Sequence, residues 1–418
     1  MWGAILPSSE AEAARGLLNA AAVRERAHEM LAVAEAGGLD GWIVDLSRLP
    51  AAAAYVAGVI RDRYPTLAVP FHARWRHFAV DGADLWEGIA KATSWRDPAP
   101  RARAEFDLAI VSVLLDAGAG PDWSYADAET GRVLHRSEGL AIASLRMFQA
   151  GRFSANAADP FRVDAEALSA LSAGQLAEGF QVSEANPLLG LEGRAALLRR
   201  LGRQCLARPD LFARGDAPRP GGLSDVLLER AGPERRLPAP AILALLLEAL
   251  GPVWEDRLSL GGIDLGDCWR HPALRRADAT DGLLPIHKLS QWLSYSLVEP
   301  LQRAGLAVVD LDGLTGLAEY RNGGLFMDLG VLRLRDPADV ERAWPVSDPL
   351  VVAWRALTVA LLDRIAPLVR DELSVTAEAM PLASVLEGGT WAAGRRVAAE
   401  RREGGGPPLT ILSDGTVF

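Results

Sequence analysis

The chain has 418 residues, is 50% hydrophobic, and carries 44 basic against 54 acidic side chains, a formal charge of −10. That apolar content excludes a disordered chain, and the acidic balance without a long basic stripe excludes a nucleic-acid backbone as the main partner. Met1–Pro7 lacks a charged segment leading into an apolar one, the richest apolar window (Ala239 to Leu250) is too short to span a bilayer, and only Cys205 and Cys268 are available for a disulfide, so a cytoplasmic, disulfide-free protein with no membrane partner is expected.

Along the chain, apolar residues recur mostly at helical spacing. Ala11 to Ala36 reads as one or two helices closed by Gly37-Gly38, and Pro50 to Arg63 as another, stopped by Pro65. The same spacing predicts helices over Ala104 to Leu115, Glu138 to Ala150, Ala165 to Gly174, Gly190 to Gly202 and Pro238 to Leu250. It continues through Leu284 to Arg303, Gly324 to Leu329, Val351 to Glu372 and Leu382 to Glu403. Strand-like stretches are few: Trp42 to Leu46, Leu306 to Leu311, Val331 to Arg335 and Leu409 to Leu412. The expectation is a mainly α body over 1–418, with lobes 1–207 and 223–418 joined by an exposed Pro/Gly-rich connection at 208–222.

Several chemistries find no motif. A phosphate loop, a dinucleotide fingerprint, a zinc-spaced cysteine pair and a serine-nucleophile elbow are all missing from the sequence. Gly261 to Gly266 is glycine-rich, but it follows no predicted strand and opens no clear helix. His72 and His77, five apart, share a helix face poorly, so no metal site and no cofactor are expected.

Two segments concentrate polar chemistry. Pro285-Ile286-His287-Lys288-Leu289-Ser290-Gln291 is read as a helix starting at the proline, with His287, Lys288 and Gln291 in its first two turns. Lys288 and Gln291, three apart, then share a face. Leu314 to Gly324 crowds Glu319, Tyr320, Arg321 and Asn322 together before a glycine pair. From the residues alone this second segment is a surface turn with an ion pair from Glu319 to Arg321 or Lys288, or a functional cluster.

Pro285 to Pro300, Gly316 to Leu332 and Ser413 to Phe418 resemble the uracil-catabolism protein 4 family. So do Leu49 to Val56, Val69 to Phe78, Phe106 to Phe153 and Leu386 to Arg395, so the likeness covers nearly the whole chain. It implies a place in uracil degradation through a nucleotide and a ring-opened ribosylurea, and association with other enzymes of that catabolism.

Ile286 to Gln291 followed by Leu314 to Arg321 is also similar, more distantly, to the paired motifs of the queuosine salvage hydrolases. Those enzymes cleave the N-glycosidic bond of a nucleoside monophosphate and are themselves like helix-hairpin-helix DNA glycosylases. The resemblance places Lys288 and Glu319 on the catalytic positions, with Glu319 one methylene longer than the family's aspartate. It likewise makes Asp116, Trp123 and Glu138 substrate-binding candidates, beside His287, Gln291, Tyr320 and Arg321. Loss of a base or urea from C1′ builds positive charge on the ribose, which a buried carboxylate opposes while it orients water. Lys288 would hold Glu319 ionised or bind phosphate, Arg321 would take phosphate in two parallel bonds, and Trp123 or Tyr125 would stack on the leaving group or pack in the core. The expected function is N-glycoside hydrolysis of a ribosylurea-type or pyrimidine-derived nucleotide. Its rivals are an amidohydrolase of the opened urea, which wants a metal cluster or a cysteine nucleophile, and a non-catalytic binding protein of the pathway.

Overall fold

The structure is a computed structural model that describes residues 9–213, 217–255 and 257–412. Met1–Pro7 and the Ser413–Phe418 motif lie outside the described residues. Helices dominate, as expected, and the strands are two to four residues long, paired two by two. No described helix is long and apolar enough to cross a membrane.

Contacts divide the chain into two units, neither of them continuous. The first comprises 9–72, 257–291 and 310–412; the second comprises 73–213, 217–255 and 292–309. The division therefore does not follow the lobes 1–207 and 223–418.

The first unit is organised by the helix Pro349–Leu373. Asp348 caps it through the Leu350 N–H at 2.9 Å, Pro349 sits in its first turn, and Ser374 ends it in a left-handed conformation. Its residues from Val351 to Leu362 are buried without interruption, a pattern that only a helix covered on all sides shows. Ala20–Glu35, Leu49–Arg63 and Tyr320–Asp328 pack on it. Trp391–Arg401 packs on Tyr320–Asp328 in turn. The predicted helix from Leu382 is interrupted: Val385–Thr390 winds as a π-helix between Leu382–Ser384 and Trp391–Arg401. Its Gly388 and Gly389 are required by close packing, since a Cβ at either would fall 2.7 Å or 2.8 Å from Val69 or Val56.

The second unit centres on Pro98–Leu114, capped by Asp97 and buried continuously from Ala104 to Leu114. Arg136–Gln149, Leu191–Ala207 and Gly222–Arg230 pack against it. The predicted connection is exposed at Pro209, Asp210 and Ala217 but ends buried, at Arg219, Pro220, Gly221 and Gly222. The cause is Asp107, a buried carboxylate that accepts the Gly221 N–H at 2.6 Å, the Val163 N–H at 2.9 Å and the Arg219 guanidinium at 2.9 Å. Pro and Gly here serve a tight corner tied to a core helix. The helix predicted over Ala165 to Gly174 likewise breaks after Ser169, because Ser172 and Gln175 form a capping box that starts a new one.

Candidate functional site

The turn that carries Lys288 is built by Asp267. Leu283–Pro285 pairs with Cys268–Arg270 as a short antiparallel ladder, so Pro285 belongs to a strand and the helix begins only at Lys288. The Asp267 carbonyl accepts the N–H groups of Ile286 and His287, at 2.9 and 3.1 Å, and its carboxylate takes the Lys288 N–H at 2.9 Å. That carboxylate also accepts the Trp269 indole N–H at 2.7 Å and both Arg355 nitrogens, at 2.8 and 2.9 Å. Burial pushes Asp267 up, but the Arg355 charge and these hydrogen bonds outweigh it and hold the carboxyl well below the usual range.

His287 pays for the turn with a positive φ of 49°, an uncommon conformation for a residue with a Cβ. Its imidazole is buried, with Nε2 3.2 Å from the Leu17 carbonyl oxygen. A carbonyl only accepts, so Nε2 carries the proton and Nδ1, which has no partner, is left as an acceptor. Burial lowers the His287 pKa against the raising effect of Asp267. It is a neutral, structural histidine at the foot of the helix rather than a member of its first turn.

Glu319 is the N-cap of Tyr320–Asp328. Its carboxylate accepts the Asn322 N–H at 2.6 Å and the Arg321 N–H at 2.8 Å, one on each oxygen, which leaves each oxygen a second lone pair. The segment before it is clamped by Arg24, which bonds the Asp312 and Leu314 carbonyls at 2.9 and 2.8 Å and the Asp363 carboxylate at 2.8 Å. Glu319 is buried, and burial raises its pKa; the Arg321 N–H, the Lys288 charge, the Asn322 N–H and His72 oppose the rise. Lys288 and Glu319, 31 positions apart (319 − 288), thus lie within one another's field in the first unit.

Sequence reasoning missed a pair at the same place. His72 Nδ1 lies 2.7 Å from the Glu387 carboxylate, both buried, and Glu387 is carried by the π-helix, a wound-out turn common at functional sites. The Trp391 ring lies 5.8 Å from the His72 ring. From the sequence His72 reads only as a metal partner of His77, yet both His72 and Glu387 stand in the segments Val69 to Phe78 and Leu386 to Arg395 that carry the family likeness. Asp267 and Arg355 gave no such signal.

The other predicted residues divide clearly. Gln291 is fully buried and accepts the Thr315 N–H at 3.3 Å. Arg321 is buried; it donates to the Gly405 carbonyl at 2.7 Å and stacks on Tyr320 at 4.8 Å, so it braces the chain instead of offering a two-point phosphate clamp. Asp116, Trp123 and Glu138 belong to the second unit. Asp116 pairs with the buried Arg74 at 2.6 Å and accepts from Ser137 at 2.9 Å. Trp123 is a core residue, fully buried with its indole N–H on the Phe180 carbonyl at 3.0 Å, and Tyr125 is buried too. Glu138 is half-buried and lines a cavity of about 320 Å³ with His77, Asp81, Arg132 and Ile142.

Nucleophilic thiols are not supplied. Both cysteines are free and buried; burial pushes Cys268 up to about 12 and raises Cys205 as well. Gly261-Gly262 is the turn of a hairpin between Ser259–Leu260 and Ile263–Asp264, with φ of 55° and 76°, so a two-residue strand does precede it. Among the described residues no group of three or more His, Cys, Asp or Glu side chains is placed to hold a metal ion.

A family model described as "Protein of unknown function (DUF1688)" matches residues 16–418. Protein urg3 of Schizosaccharomyces pombe is 38% identical over 413 residues, covering 96% of this chain and 98% of that protein. Uracil catabolism protein 4 of Lachancea kluyveri is 36% identical over 409 residues, covering 90% of this chain and 91% of that protein.

Proposed function

The chain belongs to the DUF1688 family, and from that footing we propose that it acts in uracil catabolism, as the name of its Lachancea relative suggests, by hydrolysing the N-glycosidic bond of a ribosylurea-type or pyrimidine-derived nucleotide. The observation that carries the chemical part is Glu319. It is a buried carboxylate with a raised pKa, fixed on a helix N-terminus and facing the Lys288 charge.

In this reading the C1′–N bond breaks with its electron pair going to the nitrogen, and the ribose becomes oxocarbenium-like. The Glu319 carboxylate opposes that charge at no reorganisation cost, because two backbone N–H groups hold it in place. One free lone pair takes a proton from the water that adds to C1′, and that proton passes on to the departed nitrogen, which leaves as a neutral N–H group and returns Glu319 to its ionised form. The Arg321 N–H and the Lys288 charge oppose the burial penalty and favour the ionised carboxylate. His72 and Glu387 form a second buried hydrogen-bonded pair whose histidine lies within the field of Glu319.

The test is direct. Purified protein is incubated with ribosylurea 5′-phosphate and, separately, with uridine 5′-phosphate, and the release of urea or uracil together with ribose 5-phosphate is followed. Release of ammonia with the glycosidic bond intact would instead make the protein an amidohydrolase, and no turnover of either compound would leave it a binding protein.

A further inference from the structure

We propose that the side-chain amides of Gln291 and Asn322 form a donor–acceptor pair that reads a planar amide edge, O=C–N–H, on the ligand's leaving group. The inference rests on the nucleotide-cleaving reading of the Glu319 site and names what that site recognises.

Both side chains are fully buried, and each is half satisfied in a way that fixes its orientation. The Gln291 amide oxygen accepts the Thr315 N–H at 3.3 Å, so the other end of the amide is the NH2 group, and Nε2 has no partner. The Asn322 NH2 group donates to the Leu317 carbonyl at 3.1 Å, so its other end is the oxygen, and Oδ1 has no partner. A flip of either amide would set like against like at the bonded end. The result is one orphan donor and one orphan acceptor.

Their placement ties them to the reacting groups. Gln291 stands three residues after Lys288 on one helix, and Asn322 three residues after Glu319 on the other. Both are anchored to Thr315–Leu317, which leads directly into Glu319, and the Asn322 backbone N–H bonds the Glu319 carboxylate. Native interiors leave few polar atoms unpaired, and an unpaired one asks for an occupant. Two of opposite polarity on one segment ask for a group with one acceptor and one donor. A phosphate offers acceptors alone and would face the Asn322 oxygen with repulsion. A hydrocarbon answers neither atom. An O=C–N–H edge answers both: its carbonyl takes the Gln291 N–H and its N–H meets the Asn322 oxygen. An intact pyrimidine-dione ring and an opened ureide both carry such an edge.

Calorimetric titration of the Glu319→Gln protein, which should consume ligand far more slowly than wild type, tests this with uridine 5′-phosphate, ribosylurea 5′-phosphate and ribose 5-phosphate. The third lacks the edge and is the control. At least one edge-bearing compound should bind more tightly than ribose 5-phosphate, and the tighter of the two identifies ring or ureide. Adding Gln291→Glu keeps the oxygen for Thr315 and replaces the donor with an acceptor; the preference should fall about tenfold or more, with ribose 5-phosphate affinity unchanged. If Gln291→Glu does not fold, Gln291→Met reads the same ratio. Equal binding of all three ligands, a preference untouched by the variants, or a parallel loss for all three would overturn the proposal. Gln291-dependent selectivity without any bond cleavage in the wild type would overturn the hydrolase reading and leave the amide pair standing.

Discussion

Arg355 and Asp267 meet through two parallel hydrogen bonds of 2.8 and 2.9 Å, and the same carboxylate takes the Lys288 backbone N–H. A core ion pair thereby sets where the Lys288 helix begins. Breaking such a pair strands a buried charge, so Arg355→Met should cost about 3–5 kcal/mol in urea denaturation. The pH dependence has a definite sign. Because the folded Asp267 carboxyl is depressed, its contribution is present above the ordinary value of 3.8 and is lost only as the pH falls below that. Arg355→Met removes the largest influence opposing burial and leaves only the Trp269 and Lys288 hydrogen bonds, so the part of the acid loss due to Asp267 should shrink or reverse sign.

Glu319→Gln should lower the rate of N-glycosidic cleavage about 100- to 1000-fold, the loss of preorganised charge stabilisation worth on the order of 3–4 kcal/mol. Folding should be affected in the opposite sense. A raised carboxyl pKa favours the folded state below the ordinary 4.5 and gives that contribution up as the pH rises through the raised value. The stability of the Gln variant relative to wild type should therefore improve between acid and neutral pH, which denaturation at a series of pH values reads. A variant that turns over at the wild-type rate would pass the role to another carboxylate, Glu387 first.

Lys288→Met separates two roles for the lysine. Its charge lowers the Glu319 pKa, so its removal should move the acid limb of the kcat profile to higher pH with KM little changed. A risen KM over an unmoved limb would make Lys288 a ligand-binding residue instead.

Exhaustive dialysis against EDTA should leave turnover unchanged, since departure of the leaving group assisted by a carboxylate uses no Lewis acid. Activity lost to EDTA and restored by one divalent ion would return the amidohydrolase reading to first place.

The helices were legible where apolar spacing and stop signals agreed, as for Leu49–Arg63, ended before Pro65, and Pro349–Leu373. Their interruptions were not. Nothing local announces that Val385–Thr390 takes a π turn, and the side chains that leave no room for a Cβ at its Gly388 and Gly389, Val69 and Val56, lie more than 300 positions away. The Pro/Gly stretch at 208–222 misled for a related reason: the same residues that loosen a linker also permit a buried corner, and Asp107 decides between them. Within the site, Lys288 and Glu319 were readable as clustered polarity at helix starts. Asp267 and Arg355 were not, because an ion pair 88 positions apart leaves no spacing in the sequence.

Two glycines give the packing around Glu319 a contrast of its own. Gly58 lies inside Leu49–Arg63 with nothing within 4 Å of a built Cβ, so Gly58→Ala should stabilise the protein by about 0.5–1 kcal/mol through reduced backbone entropy of the unfolded chain. Gly394 lies inside Trp391–Arg401, where a Cβ would collide with the Arg321 carbonyl oxygen. Helix propensity alone predicts a gain for Gly394→Ala of the same size. The collision should reverse it, because a backbone carbonyl cannot swing aside as a side-chain tip can, and overpacking of this kind costs about 1–3 kcal/mol. The strain lands on the first turn of the helix that Glu319 caps. Its Arg321 N–H is one of the two groups that fix the carboxylate, so spreading the helices should also weaken the cap and lower kcat, although residue 394 is given no contact with substrate. Thermal unfolding and turnover of the two variants side by side check this. Equal melting temperatures, or a Gly394→Ala protein with full kcat, would show that the two helices have room to separate without disturbing Glu319.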